Sequence, residues 1–291
     1  MPGTNRVLCG LNSGSSADDT LVVGQISDSA GKPLATIVNY ACHPTTLAWE
    51  NRLISPDFVG ATREVIESRC GGAPSLFLQG ASGELAPAEQ YVGDVNVADQ
   101  HGRQLGYAAL ETLEGMLPPG TVLEFSHPVE SGAPLAVWKR ASHKPSQILQ
   151  AISKTVDLPL KDIPSLEEIE TQMKACTDRV VEERLRRARE VRRVLGNGRT
   201  MPMEFWVWRL GDAIAIGQPN EAFSALQSKL RSRFAPRPVV VMNLVNGGEA
   251  GYLPVQAVYD LDMYEVNQTP FARGSLERLT EAAISAINQL L

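Results

Sequence analysis

A cysteine and a histidine stand side by side in NYACHPTTL, residues 39–47, where a proline closes an apolar run. An imidazole so placed serves as a metal ligand, as a general base, or as a buried polar group that packs a strand end. His43 alone leaves all three roles open. Three further stretches share its design, with polar side chains set beside glycine or proline directly after an apolar run: LQGASGELAP at 78–87, IAIGQPNEAF at 214–223 and MNLVNGGEAGYLP at 242–254. Ligands of α/β folds collect at the carboxyl ends of strands, so these four loops would wall a pocket if one sheet edge gathered them. Taken singly, each has a plainer explanation. Glu221 suits the first turn of a helix, where the dipole favours an acid. Tyr252 packs as an aromatic in a turn. Ser82 sits in Gly80-Ala81-Ser82-Gly83-Glu84, which is not the G-x-S-x-G elbow of a serine hydrolase. Cys42 falls on the strand face opposite His43 and reads as a buried thiol.

The elements that must position these residues can be read from periodicity. TLVVGQISD and LATIVNYACH form two strands about a SAGKP turn, a hairpin. Residues 55–71 carry apolar side chains at helical spacing, with Gly71 to end the helix. SLFLQG is a short buried strand, NVADQHGRQLGYAALETLEGML a long amphipathic helix, and TVLEFSHPVE another strand. Residues of about 130–200 are expected to form a helical excursion, dominated by RVVEERLRRAREVRR, which reads as a solvated face. MEFWVWRLGDAIAIGQP predicts a second hairpin, NEAFSALQSKLRSRF a helix, PVVVMNLVNG a buried strand and GSLERLTEAAISAINQLL a closing helix. The alternation predicts one α/β layered domain over 1–291, a mixed and mostly buried β-sheet flanked by helices.

Composition narrows the function. The chain has 291 residues, 43% of them hydrophobic, enough for a sizeable core. A net charge of −6 without a dominant basic stripe argues against a nucleic-acid partner. The four cysteines form no CxxC pair, and no apolar run is long enough for a transmembrane segment. Residues 1–19 are polar, read as irregular, and have no signal-peptide core. As the chain stands this implies the cytoplasm, and an additional N-terminal segment would admit a secreted or periplasmic protein.

Together, NYACHPTTL with LISPDFVG, LFLQGASGELAP, GQPNEAF and GYLP with YDLDMYE resemble the neutral/alkaline, non-lysosomal ceramidase family, in order, over about residues 20–275. The resemblance implies a zinc-dependent amidohydrolase that cleaves a linear amide, ceramide-like, with a metal-bound water. It implies Zn2+ as cofactor and His43, Glu221 and Tyr252 as ligands. Asp57 would orient His43, the loop with Gln79, Gly80, Gly83 and Glu84 would line the substrate site, and Tyr264 and Glu265 would stand near its mouth. The partner it implies is a small-molecule or lipid amide. The sequence departs from the family pattern in three ways. No histidine precedes His43, so the family's first ligand is absent and the chain reads as lacking the N-terminal segment. Glu84 and Ala86 replace an aspartate and a serine. The family's C-terminal β-sandwich has no counterpart. These departures support an alternative, a non-catalytic member or inactive fragment that binds a lipid or carbohydrate.

Overall fold

The computed structural model describes residues 9–247 and 251–291. Of the N-terminal stretch expected to be irregular, residues 1–8 lie outside the described part, and residues 9–19 carry neither helix nor strand. β1 (Val22–Ser27) and β2 (Pro33–Tyr40) pair antiparallel, as the hairpin pattern requires. The chain then runs through α1 (Phe58–Arg69) and returns as β3 (Ser75–Gln79), parallel to β2. The chain turns after α1 at Gly71, whose φ of 65° suits a residue without a Cβ. α2 (Val95–Glu114) lies along α1 so closely that a Cβ on Gly102 would sit 2.2 Å from the Phe58 carbonyl oxygen.

The region expected to be helical differs. β4 (Thr121–Glu130) is the strand expected just before it, but β5 (Pro134–Ser142) pairs with β4 as a two-stranded ribbon, and β6 (Leu149–Pro159) is an 11-residue strand. Only α3 (Leu166–Ala175) and α4 (Arg179–Leu195) are helical in the excursion. The strands escape a periodicity reading because their faces are largely exposed, so no clean apolar alternation marks them. A capping box at Ser165 and Glu168 starts α3.

β7 (Thr200–Leu210) and β8 (Ala213–Gly217) form the expected hairpin about Gly211-Asp212. The stretch read as one helix from Asn220 divides in two. β9 (Glu221–Ala222) is a short strand and α5 (Ala225–Phe234) begins only after it. β10 (Val239–Met242) pairs parallel with β8, and β11 (Tyr252–Leu253) pairs parallel with β9. α6 (Tyr264–Gln268) and α7 (Ser275–Asn288) close the chain.

The strands thus form two main sheets, ordered β1-β2-β3 and β10-β8-β7-β6, both flanked by helices. The larger core lies between the second sheet and helices α5 and α7, around Phe205, Ile216, Leu226 and Leu279. The fully buried Asn39 joins the sheets. Its Nδ2 donates to the carbonyls of Leu78 and Val241, each at 2.8 Å, while Arg231 donates to its Oδ1 at 3.1 Å. Parallel register pairs Tyr40 with Gln79 and Gly217 with Met242. The loops after β2 and β3 therefore leave one sheet at the same edge, and those after β8 and β10 leave the other likewise.

Candidate functional site

Those four loops meet. His43 Nε2 lies 2.7 Å from Glu221 Oε2, bringing together residues 178 positions apart. Both side chains are mostly covered, with 17% and 19% of their surface exposed. The imidazole is set from behind by one carbonyl. Leu85 O accepts from the His43 backbone N–H at 2.9 Å and from Nδ1 at 3.0 Å. With Nδ1–H committed to a carbonyl, Nε2 is the nitrogen presented to the site, the arrangement usual for a metal-binding histidine. Burial opposes the imidazolium, yet the hydrogen bonds to Glu221 and to the Leu85 carbonyl outweigh it and raise the His43 pKa.

Glu221 is held by β9, not by the first turn of a helix, so the dipole explanation for it does not apply. Its backbone N–H donates to Gly251 O at 3.1 Å, and its register partner in β11 is Tyr252. Neighbours in a parallel pair project to the same face, which sets the phenol beside the carboxylate. The Tyr252 ring centroid is 6.3 Å from that of His43. Burial first, and then the Glu221 charge, keep the phenol protonated well above the ordinary tyrosine range. Of the loop that leads into Tyr252, residues 248–250 lie outside the described part.

Asp57 is not the partner of His43. Its carboxylate accepts from the backbone N–H groups of Leu47 and Phe58, each at 2.7 Å, capping α1 and bracing the HPTTL loop. The Leu85 carbonyl has the orienting position instead. The glycine-rich loop also differs from expectation. Gln79 Nε2 donates to the buried Ser82 Oγ at 2.9 Å, and Glu84 accepts from Ser224 N at 2.9 Å and from Ser224 Oγ at 2.6 Å. Gly80 N–H donates to Tyr40 O at 2.8 Å, and Gly83 N–H donates to Ala222 O at 2.9 Å. These four residues fix the loop within itself, to the end of β2, to β9 and to Ser224, and none of them lines the cavity beside Glu221. Gly83 is required there, because a Cβ would stand 2.6 Å from the Glu221 carbonyl oxygen.

Tyr264 and Glu265 part ways. Tyr264, 39% exposed, meets Tyr252 edge to face with centroids 5.9 Å apart. Glu265 is buried at 8% exposure, and desolvation raises its pKa, with the charge of Glu221 adding to the rise and that of His43 opposing it. Burial pushes the Cys42 thiol up to about 12, consistent with an inert thiol.

A cavity of about 450 Å³ opens on Glu221 and Tyr252, walled by Tyr264, Gln268 and, from α4, by Arg186, Arg187, Glu190 and Val191. The α4 wall is the feature that periodicity does not disclose. Glutamates and arginines three and four apart look the same on a solvated helix face as on a cavity wall. Among the described residues, no three His, Cys, Asp or Glu side chains gather in a metal-binding group. The donor set at this point is an imidazole nitrogen, a carboxylate and a phenol, and its chemistry fits zinc.

No protein-family model matches the sequence, and no curated protein does. The fold has solved relatives. The crystal structure of neutral ceramidase from Pseudomonas aeruginosa aligns with a TM-score of 0.60 and 16% identity, over 92% of this chain and 46% of that one. A ceramidase complexed with C2 aligns with a TM-score of 0.60 and 14% identity, over 92% of this chain and 48% of that one. The chain therefore shares a fold with ceramidases and spans less than half the length of these structures.

Proposed function

We propose that this chain hydrolyses a linear amide at a zinc site held by His43, Glu221 and Tyr252. One observation carries the reading. Three donors from three separate loops, the set that the family resemblance implies, meet at the His43–Glu221 contact and the Glu221–Tyr252 register pair, and two of them line a cavity, in a fold shared with ceramidases. Zinc bound there supplies Lewis acidity toward the amide carbonyl and lowers the pKa of a water to about 7. The protein's own part is positional. The Leu85 carbonyl fixes the tautomer of His43, so that Nε2 is held toward Glu221. Glu221 takes up the negative end of the site and accepts the Tyr252 hydroxyl. With Glu221 engaged by the metal, the phenol kept protonated by burial would turn its one hydrogen to the oxygen on which charge develops as the carbonyl is attacked. Tyr264 packs edge to face on Tyr252 at the cavity wall.

Two strong donors and one neutral phenol also suit a second reading, a family member that binds a lipid or carbohydrate without cleaving it. In that case the direct His43–Glu221 ion pair is the resting state. Zinc content and turnover separate the two. The purified chain should retain close to one equivalent of zinc and release free amine from N-acetylsphingosine or a simple N-acyl amide. Both properties should be lost in H43A and E221A. Absence of zinc and of amine release in a folded parent would overturn the hydrolase reading.

A further inference from the structure

We propose that the amide bound at this site carries an anionic group, and that Arg186 and Arg187 of α4 bind it. The proposal rests on the hydrolytic reading for the amide, and on the cavity itself for the charge. Arg186 and Arg187 line the same cavity as Glu221 and Tyr252, so a single ligand can touch both ends. α4 carries seven arginines against three glutamates, an excess of four positive charges in a chain whose net charge is −6. Of these charged residues, Arg186, Arg187 and Glu190 line the cavity.

The local pairing leaves the wall cationic. Arg186 donates Nε and Nη2 to Glu183 at 2.8 and 2.9 Å, and Arg187 donates Nε to the same carboxylate at 3.0 Å. Two guanidiniums thus share one acid. Arg189 and Arg193 repeat the pattern one turn on, both donating to Glu190. Each guanidinium has five N–H donors in a planar fork, so most of those on Arg187 have no acceptor among the described residues. A planar oxyanion such as a carboxylate is the ligand whose geometry a fork matches. Away from α4, the charged residue that lines the cavity is the acid Glu221, and on α4 itself Glu190 is shared by Arg189 and Arg193. This arrangement gives the substrate one direction, its anion toward Arg186 and Arg187 and its amide toward Glu221 and Tyr252. The helix is one of the two in the excursion between β6 and β7, so it is an added wall and not part of the sheet that holds His43.

The probes are N-octanoylglycine and N-octanoyl-γ-aminobutyrate, each compared with its methyl ester, for binding to the full chain by calorimetric titration and for release of free amine. The two differ in the spacing between amide and carboxylate and so in their reach toward α4. At least one acid should bind roughly tenfold tighter than its ester, as expected for charged hydrogen bonds, and added salt should narrow the gap. R186Q/R187Q should reduce the preference to within about twofold. The substitutions lie on an exposed helix face, and a thermal melt checks the fold. E183Q frees both arginines from their shared acid and should widen the preference. Equal binding of acid and ester, no binding of either, or a preference that survives R186Q/R187Q and ignores E183Q would overturn the proposal. Charge-selective binding without amine release would support the anion site while refuting hydrolysis of these amides. Amine release without charge selectivity would do the reverse.

Discussion

Glu221 and Tyr252 are register partners in the short parallel pair of β9 and β11, and the glutamate's backbone also binds Gly251. Two residues from loops of different strands are thereby locked at fixed spacing by main-chain hydrogen bonds, before any side chain takes part. His43 arrives from the other sheet, clamped by a single carbonyl on the Gly83–Leu85 turn, and that turn is itself bonded to Ala222 next to Glu221. The site is therefore built as one unit of backbone, and only its last contacts are side-chain contacts.

This construction predicts unequal costs for losing the donors. E221A removes a carboxylate that faces both His43 and Tyr252, and zinc affinity should fall more than about 100-fold, beyond the 10- to 100-fold typical of supporting residues. Y252F removes a hydroxyl that burial holds neutral, and its cost should stay near tenfold. Competition titrations with a zinc chelator measure both. Equal losses in the two variants would mean that Tyr252 binds as a full phenolate ligand.

Much of the site can be read from residue order because strand periodicity locates strand ends, and glycine or proline with a polar residue marks the loops beyond them. The four loops stand out on those grounds, and within them it is the family resemblance, not spacing, that singles out His43, Glu221 and Tyr252. The Leu85 carbonyl does not, since a backbone oxygen leaves no trace in residue type. Asp57 suits the role of partner to His43 by residue type, because a carboxylate near a histidine commonly orients it, whereas its position at φ 55° directs it to backbone N–H groups. β6 is hidden for another reason. It is the edge strand of its sheet, and although its burial alternates from Ile152 to Leu158, Lys154 stands on the inward face and Leu149–Ala151 are exposed, so the apolar pattern is short and broken.

The two sheets depend on Asn39. N39L leaves the Leu78 and Val241 carbonyls and the Arg231 guanidinium without this partner in a dry interior. Each orphaned group costs about 1–3 kcal/mol, so a loss of about 3 kcal/mol or more is expected. Urea unfolding of the parent and of N39L gives the difference. A change below about 1 kcal/mol would show that the sheets hold together by apolar packing alone.

Gly83 should be intolerant of a methyl group. In G83A the added Cβ meets the carbonyl oxygen of Glu221 and the ring of Phe223, both inside contact distance. Overpacking of this kind costs about 1–3 kcal/mol. Because the clash is with β9, zinc binding should weaken along with stability. A lowered melting temperature with unchanged zinc affinity would place the accommodation on the Phe223 side.

The His43–Glu221 pair sets the pH dependence. Burial works against the imidazolium, but Glu221 and the Leu85 carbonyl raise the folded-state pKa above the ordinary histidine value. A histidine raised by folding contributes stability that is complete below the unfolded value of about 6.5 and disappears as pH rises through the folded value. Chelator-treated parent should therefore exceed E221Q in stability most at about pH 5.5. The gap should close steadily as the imidazole loses its proton in the folded state. Zinc reverses the sign, because it competes with the proton for Nε2. Metal should begin to leave the parent on acidification while the pH is still above the normal histidine range. Urea midpoints from pH 5 to 9, with and without zinc, test both halves. A stability gap between parent and E221Q that is flat across that range would show that the pair is not an ion pair in the folded protein.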